Sequence, residues 1–389
     1  MRITHLTLLN PVTHPRIAWK QALSQQQAGH QVTVIGAAVK DPDGKAHLTQ
    51  SGLSLVELPP VSRGGIKRWL RPLRILKLAL EQRADVYHLH TPELLGVGLW
   101  LRLFTRARVV YDVHEDYRAN YLHFRTDAQL FSTVFGTLLG LSERIGRSWA
   151  HRVVYAEECY THLGTGADTA VVRNTFCPVP PPAQAPPTLQ DPVELTLCST
   201  GTLCYDWGTN RAMQLWIRLN EWKAVGLELA GNLSTGLDRD IVRYQLQLAG
   251  EKLLQRFQLH GGDKWLPYPT LQAVQQRADV HLALYTPLPH LVRKFPTRFY
   301  EALALGKPLV YLQSQYWDEL NQRFQLGAAL PWRNLHRADI RGQEELLNDQ
   351  LEALKAFLER IVREGFRREA DVSSCFWAAD ERRLLGLWG

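Results

Sequence analysis

The stretch Lys294-Phe-Pro-Thr-Arg-Phe-Tyr-Glu301-Ala-Leu-Ala-Leu-Gly-Lys-Pro-Leu-Val310 reads as a basic loop, a short helix and a buried strand. Pro296 suits a helix start and Gly306 its end, before a strand from Pro308 to Leu312. Thr297 is a candidate cap, and its hydroxyl with the free amides of a first turn can hold an anion. Arg293, Lys294 and Arg298 bring positive charge, and Glu301 follows one turn later. A nucleoside diphosphate asks for that pairing: cations and amides for the phosphates, a carboxylate for the ribose hydroxyls. A solvated helix start with incidental charges accounts for the same residues.

Working outward, the same alternation fills the chain. Arg2 to Leu9, Gln31 to Gly36, Leu53 to Leu58, Asp85 to His90 and Arg108 to His114 are apolar strand-like runs. Ile17 to Ala28 has a helical pattern closed by Gly29. A second series starts with Val193 to Ser199 and continues through Leu227 to Gly231, Gln255 to His260 and Asp279 to Tyr285. Helices are expected at Asn210 to Glu221, Tyr268 to Arg277, Gln343 to Arg363 and Phe376 to Leu387. Strands separated by helices predict parallel sheets covered on both faces. Between the two series lies the proline-rich segment 176–192, which reads as a semi-rigid linker. The expected division is 1–175, a linker at 176–192, and 193–375, with 376–389 packing back on the first domain. Two doubly wound halves facing a central cleft would put the ligand beyond the carboxyl ends of their strands.

A length of 389 residues suits two such domains, and 45% hydrophobic with 21% charged residues is ordinary for a globular chain. No apolar run reaches the roughly 18 residues needed to span a bilayer, and the N-terminus lacks the apolar length of a signal peptide. A cytoplasmic protein is expected. The 5 cysteines are scattered without the spacing of a zinc site and read as buried thiols. A net charge of +7 favours anionic partners, and no nucleic-acid module is recognisable. The stretch 66–80 places Lys67, Arg68, Arg71, Arg74 and Lys77 among apolar residues. It is a surface helix on the sheet, or a basic face for the anionic inner surface of a membrane. The apolar run Leu130 to Leu141 reads as a core helix.

Four segments of the first half, His14-Pro-Arg-Ile-Ala-Trp-Lys20, Ala28-Gly-His-Gln-Val-Thr-Val34, Asp85-Val-Tyr-His-Leu-His-Thr-Pro-Glu-Leu-Leu95 and Val110-Tyr-Asp-Val-His-Glu-Asp-Tyr117, resemble glycosyltransferase family 4. The likeness is to the branch that builds capsule and surface polysaccharides. Ser199-Thr-Gly-Thr-Leu, Leu229-Ala-Gly-Asn232, the Lys294–Val310 stretch, and Trp377 with Glu381 continue it in order. The resemblance implies a GT-B fold of two Rossmann-like domains, a nucleotide-sugar donor held by the second, retention at the anomeric carbon and no essential metal or cofactor.

Residue by residue, it implies that Glu301 binds the donor ribose and that Arg298 and Lys294 approach the donor diphosphate. Thr297 and Phe299 would supply amides or packing, and Gly201 and Thr202 the turn after the first strand of the second domain. His90 falls near the transferred sugar. Asp112, His114 and Glu115 fall on the acceptor side, with Arg16 on the first loop. His88 is expected on the opposite face from His90, in a packing role. The chain departs from the family at Arg293, where a glutamate is common, at Trp207, where a basic residue precedes the glycine, and at Thr91, where aspartate is usual. Diphosphate charge then falls to Arg293, Lys294 and Arg298 or to helix amides.

These residues predict transfer of a sugar from a UDP- or GDP-linked donor to a hydroxyl of a glycan or lipid-linked acceptor. A nucleotide-sugar epimerase or hydrolase of the same fold, and a catalytically degenerate binding subunit, are the alternatives.

Overall fold

The computed structural model describes residues 1–59, 67–124, 129–164, 168–288, 291–335 and 339–387. The chain forms two compact units, residues 1–177 with 377–389, and residues 178–376.

Unit 1 is built on a parallel sheet of β1 (Arg2–Pro11), β2 (Gln31–Ala37), β3 (Ser54–Leu58), β4 (Val86–Leu89), β5 (Arg108–Val113), β6 (Arg152–Tyr155) and β7 (Thr169–Val171). Among the described residues the order is β3-β2-β1-β4-β5-β6-β7. A π-helical segment, Pro15–Ala22, follows β1 and runs on as α1 (Leu23–Gln27). Then come α2 (Pro42–Gln50), α3 (Lys67–Gln82), α4 (Leu95–Phe104), α5 (Tyr117–Phe124) and α6 (Gln129–Trp149).

Side chains alternate faces along a strand, and here the alternation separates two chemistries. Leu6, Leu8, Tyr87, Leu89, Tyr111 and Val113 share one apolar cluster with Ile75 and Ala79 of α3 and Leu101 of α4. The alternate positions of the same strands, His5, His88, His90 and Asp112, are polar and fully buried. Residues two apart share a face, so His88 lies on the side of His90 and not opposite it. Their rings stack at 4.6 Å.

Unit 2 repeats the plan. Its strands are β8 (Leu195–Leu203), β9 (Val225–Leu233), β10 (Phe257–Gly262), β11 (Val280–Ala283), β12 (Leu309–Leu312) and β13 (Gly327–Leu330). They are parallel, in the order β10-β9-β8-β11-β12-β13. The helices are α7 (Thr209–Leu219), α8 (Gly236–Leu254), α9 (Tyr268–Arg277), α10 (Thr297–Ala304), α11 (Gln315–Phe324) and α12 (Ile340–Glu364). In each unit the strand order reverses beside the first strand, between β1 and β4 and between β8 and β11, where such sheets bind ligands.

Gly201 and Thr202 are not a turn after the strand but lie within its paired end, opposite Gly231 and Asn232, with Leu203 pairing beyond them. Glycine permits the extension. A Cβ on Gly231 would stand 1.6 Å from the Gly201 carbonyl oxygen.

The proline-rich segment is fastened to unit 2 from Pro178 onward. The Val179 amide donates to Gln272 (3.1 Å) and Arg277 donates to the Pro186 carbonyl (2.8 Å). At the other end α13 (Trp377–Leu385) belongs to unit 1. The Trp377 indole donates to Ser24 Oγ (2.8 Å), and buried Asp380 accepts from the Arg173 amide (3.0 Å) and the Thr175 hydroxyl (3.0 Å). Residues 388 and 389, at the end of the segment expected to pack back on the first domain, lie outside the described residues, as does Ile66 of the basic stretch. In α3, Arg71 is turned inward and buried, and donates to the Pro59 carbonyl.

Candidate functional site

In unit 1 the polar face converges on Asp112 at the end of β5. Arg16 grips both its oxygens, Nη2 to Oδ1 at 2.8 Å and Nε to Oδ2 at 3.0 Å. Gln21 Nε2 donates to Oδ2 at 2.9 Å. A π-helix closes hydrogen bonds between residues five apart, which suits two side chains at that spacing meeting one carboxylate. His114 Nε2 lies 3.0 Å from Oδ2 and His90 Nδ1 3.2 Å from it. The chain continues inward through His90 Nε2 to His5 Nδ1 (2.8 Å) and His5 Nε2 to Gln25 Oε1 (2.7 Å).

His90 is fully buried with both nitrogens engaged, so its imidazole holds neighbours in place and presents no nitrogen to a ligand. His114, bonded to it at 3.1 Å, keeps 12% of its side chain exposed. Glu115 is half-buried and accepts from Asn120 Nδ2. Lys20, which sequence reasoning passed over, is buried and donates to Asn174 Oδ1 at 2.7 Å.

Burial sets the charge states. It favours the neutral carboxyl at Asp112, yet Arg16 and the hydrogen bonds from His114 and His90 hold that group well below the usual carboxylate range. Burial lowers His5 to about 4, and burial with the neighbouring charges of His114 and Arg16 lowers His14 to about 3. His88 and His90 are lowered as well, chiefly by burial.

A histidine depressed in the folded state leaves the unfolded chain binding more protons between the two pKa values, so stability is complete above about 6.5 and is lost on acidification. From His5 alone, with its shift from 6.5 to about 4, unit 1 is expected to lose roughly 3 kcal/mol by pH 4. Glu143, raised to about 7 chiefly by burial, acts the other way between pH 4.5 and 7. Thermal unfolding across pH 4 to 7 checks this: Tm falls on acidification, and falls more steeply in Glu143→Gln. A flat profile refutes it.

Two groups among the described residues place three metal-ligating atoms within 4.8 Å of one another: His5, His88 and His90, and His90, Asp112 and His114. In the second, Arg16 occupies both carboxylate oxygens with a positive charge, which opposes a cation there. In the first, His5 and His90 bond each other.

In unit 2 the helix α10 brings its chemistry to the end of β8. Pro296 takes the cap position and no side chain caps the helix; Thr297, expected to do so, is the first helical residue. Arg298 is 5% exposed. Its Nη2 donates to the Thr202 carbonyl (2.7 Å) and its Nη1 to Ser199 Oγ (3.3 Å), and the guanidinium lies 5.0 Å from the Tyr285 ring centroid. No carboxylate among the described residues forms an ion pair with it. A Cβ on Gly201 would stand 3.7 Å from Nε and Nη2, so the glycine is the open wall beside the cation.

One turn on, buried Glu301 accepts from Gln275 Nε2 at 2.6 Å, and that amide also reaches Thr200 Oγ1 at 2.8 Å. Gln275 carried no sequence signal beyond its place on a helix. Phe299 is wholly buried among Phe295, Tyr311 and Trp317 and fixes the helix instead of meeting a ligand. Arg293 is exposed and Lys294 half-buried, its carbonyl accepting from the Trp317 indole at 3.0 Å. Nearby, Gly208 takes the cap position of α7, in the left-handed region at φ 84°, with no side-chain cap on the helix.

A family model described as a glycosyl transferase 4-like domain matches residues 15–174, the greater part of unit 1. No curated protein matches the chain in sequence. Among solved structures, sucrose-phosphate synthase from Thermosynechococcus elongatus superposes with a TM-score of 0.66 at 13% identity, over 100% of this chain and 98% of its own. Anabaena Alr3699/HepE, solved with UDP and glucose, gives 0.60 at 15% identity, over 100% and 99%. The UDP-forming α,α-trehalose-phosphate synthase from Burkholderia xenovorans gives 0.60 at 12% identity, over 99% and 98%. The fold is that of the GT-B glycosyltransferases. At these identities the likeness is one of fold.

Proposed function

We propose that the chain is a retaining glycosyltransferase that moves a sugar from a nucleoside diphosphate donor to a hydroxyl of a glycan or lipid-linked acceptor. The observation that carries this reading is Arg298: a buried guanidinium with neutral partners, beside a glycine, one turn from a buried carboxylate. An uncompensated buried charge is costly to a fold, and an anionic ligand compensates it. The donor diphosphate fits beside Gly201, with the amides of Asn210 and Arg211 at the start of α7 as further donors. Glu301 takes the ribose hydroxyls. Lys294 and Arg293 add charge, and no metal is needed for the leaving group.

As the bond from the anomeric carbon to the phosphate oxygen breaks, negative charge gathers on the diphosphate, where a preorganised guanidinium lowers the barrier. Asp112 is a poor nucleophile, since Arg16, Gln21 and His114 occupy its oxygens. The acceptor oxygen therefore bonds the anomeric carbon on the face the phosphate leaves, and its proton passes to the departing phosphate oxygen. In unit 1 the acceptor is assigned to His114 and Glu115, while Arg16, buried on Asp112, holds that carboxylate in place.

Calorimetry with uridine and guanosine diphosphates, followed by donor turnover with and without acceptor glycans, tests the reading. One nucleotide is expected to bind, and turnover to require an acceptor. Turnover of the donor alone points to a hydrolase or epimerase, and binding of neither nucleotide to a degenerate subunit. Glu301→Gln should weaken the nucleotide about tenfold, since a charged acceptor of hydrogen bonds becomes neutral. Unaltered affinity removes Glu301 from the ribose role.

A further inference from the structure

The apolar face of the unit 1 sheet is covered by α3, α4 and α6, with α4 in contact with both neighbours. This helical layer is not polar on its outer side. On α6, Val134, Leu138, Leu141 and Ile145 recur at spacings of four, three and four and so form one stripe. They are 53, 59, 52 and 53% exposed. Within the run 130–141, expected as a core helix, Val134, Leu138 and Leu141 therefore face solvent. On α4, Leu103 and Phe104 are 66 and 67% exposed, with the Trp100 ring tilted against Phe104 at 4.7 Å. On α3, Leu70 and Leu73 are exposed too.

The charges on this layer have one dominant sign. Arg74 and Lys77 of α3 and Arg144 of α6 face solvent, and Arg106 and Arg108 follow α4. The acid of α6, Glu143, is turned inward and accepts from the Tyr111 hydroxyl at 2.8 Å. Helix α4 has no acidic residue, and among the described residues Glu81 is the exposed acid on these three helices.

We propose that this face of unit 1 docks on an anionic lipid surface, with the α6 stripe and the end of α4 among the acyl chains and the basic residues at the headgroups. The charge pattern selects this occupant. A second copy of the same basic face would be repelled, whereas anionic headgroups are attracted and the acyl boundary accepts the apolar stripe. No described helix is long and apolar enough to cross a membrane, so the contact is one of lying on the surface.

The test is co-sedimentation of the full chain with phosphatidylcholine vesicles, with and without phosphatidylglycerol, beside the variant Leu138→Glu/Leu141→Glu. Both leucines are mainly solvent-exposed, and circular dichroism checks the fold. The chain is expected to pellet with the anionic vesicles, less at high salt, and the variant to partition at least about tenfold less. A milder pair, Leu138→Ser/Leu141→Ser, should fall between them. Equal partitioning of variant and parent overturns the proposal, as does no binding to anionic vesicles. A parent dimer that the variant dissociates in sedimentation velocity overturns it in favour of a second copy.

Discussion

Arg298→Met is expected to cut kcat/KM for donor consumption by roughly 10²–10³-fold while leaving Tm unchanged or higher. The two halves of this result come from the same geometry. Arg298 is buried, and its partners Ser199 Oγ, the Thr202 carbonyl and the Tyr285 ring are neutral. The folded protein therefore carries a charge whose desolvation is only partly offset, and an apolar side chain of similar length removes that cost. A guanidinium with a purely structural role gives the opposite sign, because its loss would orphan the carbonyl and lower Tm.

The kinetic split locates the effect. Charge grows on the diphosphate only as the glycosidic bond breaks, so kcat should fall further than KM rises. Arg298→Lys keeps the charge and loses the fork, and should recover part of the rate. Full activity in Arg298→Met sinks the assignment.

The two parallel sheets were legible because their strands are short apolar runs separated by glycine-bounded helices. The boundaries moved where tertiary pairing overrode local signals. β8 runs on through Gly201 and Thr202 because Gly231 lets the neighbouring strand approach. The strands β6, β7 and β13 were not read; β7 has only three residues, and the glycine and two alanines of β13 carry little strand signal. Arg298 and Glu301 could be picked out since both stand on one short helix. The Asp112 network could not be assembled, since its members come from residues 5, 16, 21, 90, 112 and 114, and only the sheet brings them together. One signal was present: His5, His88 and His90 are polar residues at alternate positions of otherwise apolar strands, which marks a polar sheet face. Periodicity likewise found the apolar side of α6 but held no information on whether anything covers it.

Asp112→Ala is the stability change expected to be largest, about 3–5 kcal/mol. It leaves the Arg16 guanidinium, 1% exposed, without the carboxylate it grips with two hydrogen bonds. Arg16→Leu should cost somewhat less, because Gln21 and His114 still donate to the abandoned carboxylate. The double change Arg16→Leu/Asp112→Ala should cost less than Asp112→Ala, since it removes both desolvation penalties along with the attraction. Denaturant unfolding of the three variants measures this, and a double-variant loss equal to the sum of the single losses would show the pair to be energetically independent. The pH dependence sharpens the result. In the parent, the Asp112 charge is among the forces that favour proton uptake by His90 and His5. Removing it should push both imidazoles further toward the neutral form and extend the acid destabilisation to lower pH. A pair that served only as a surface tie would leave that profile unmoved.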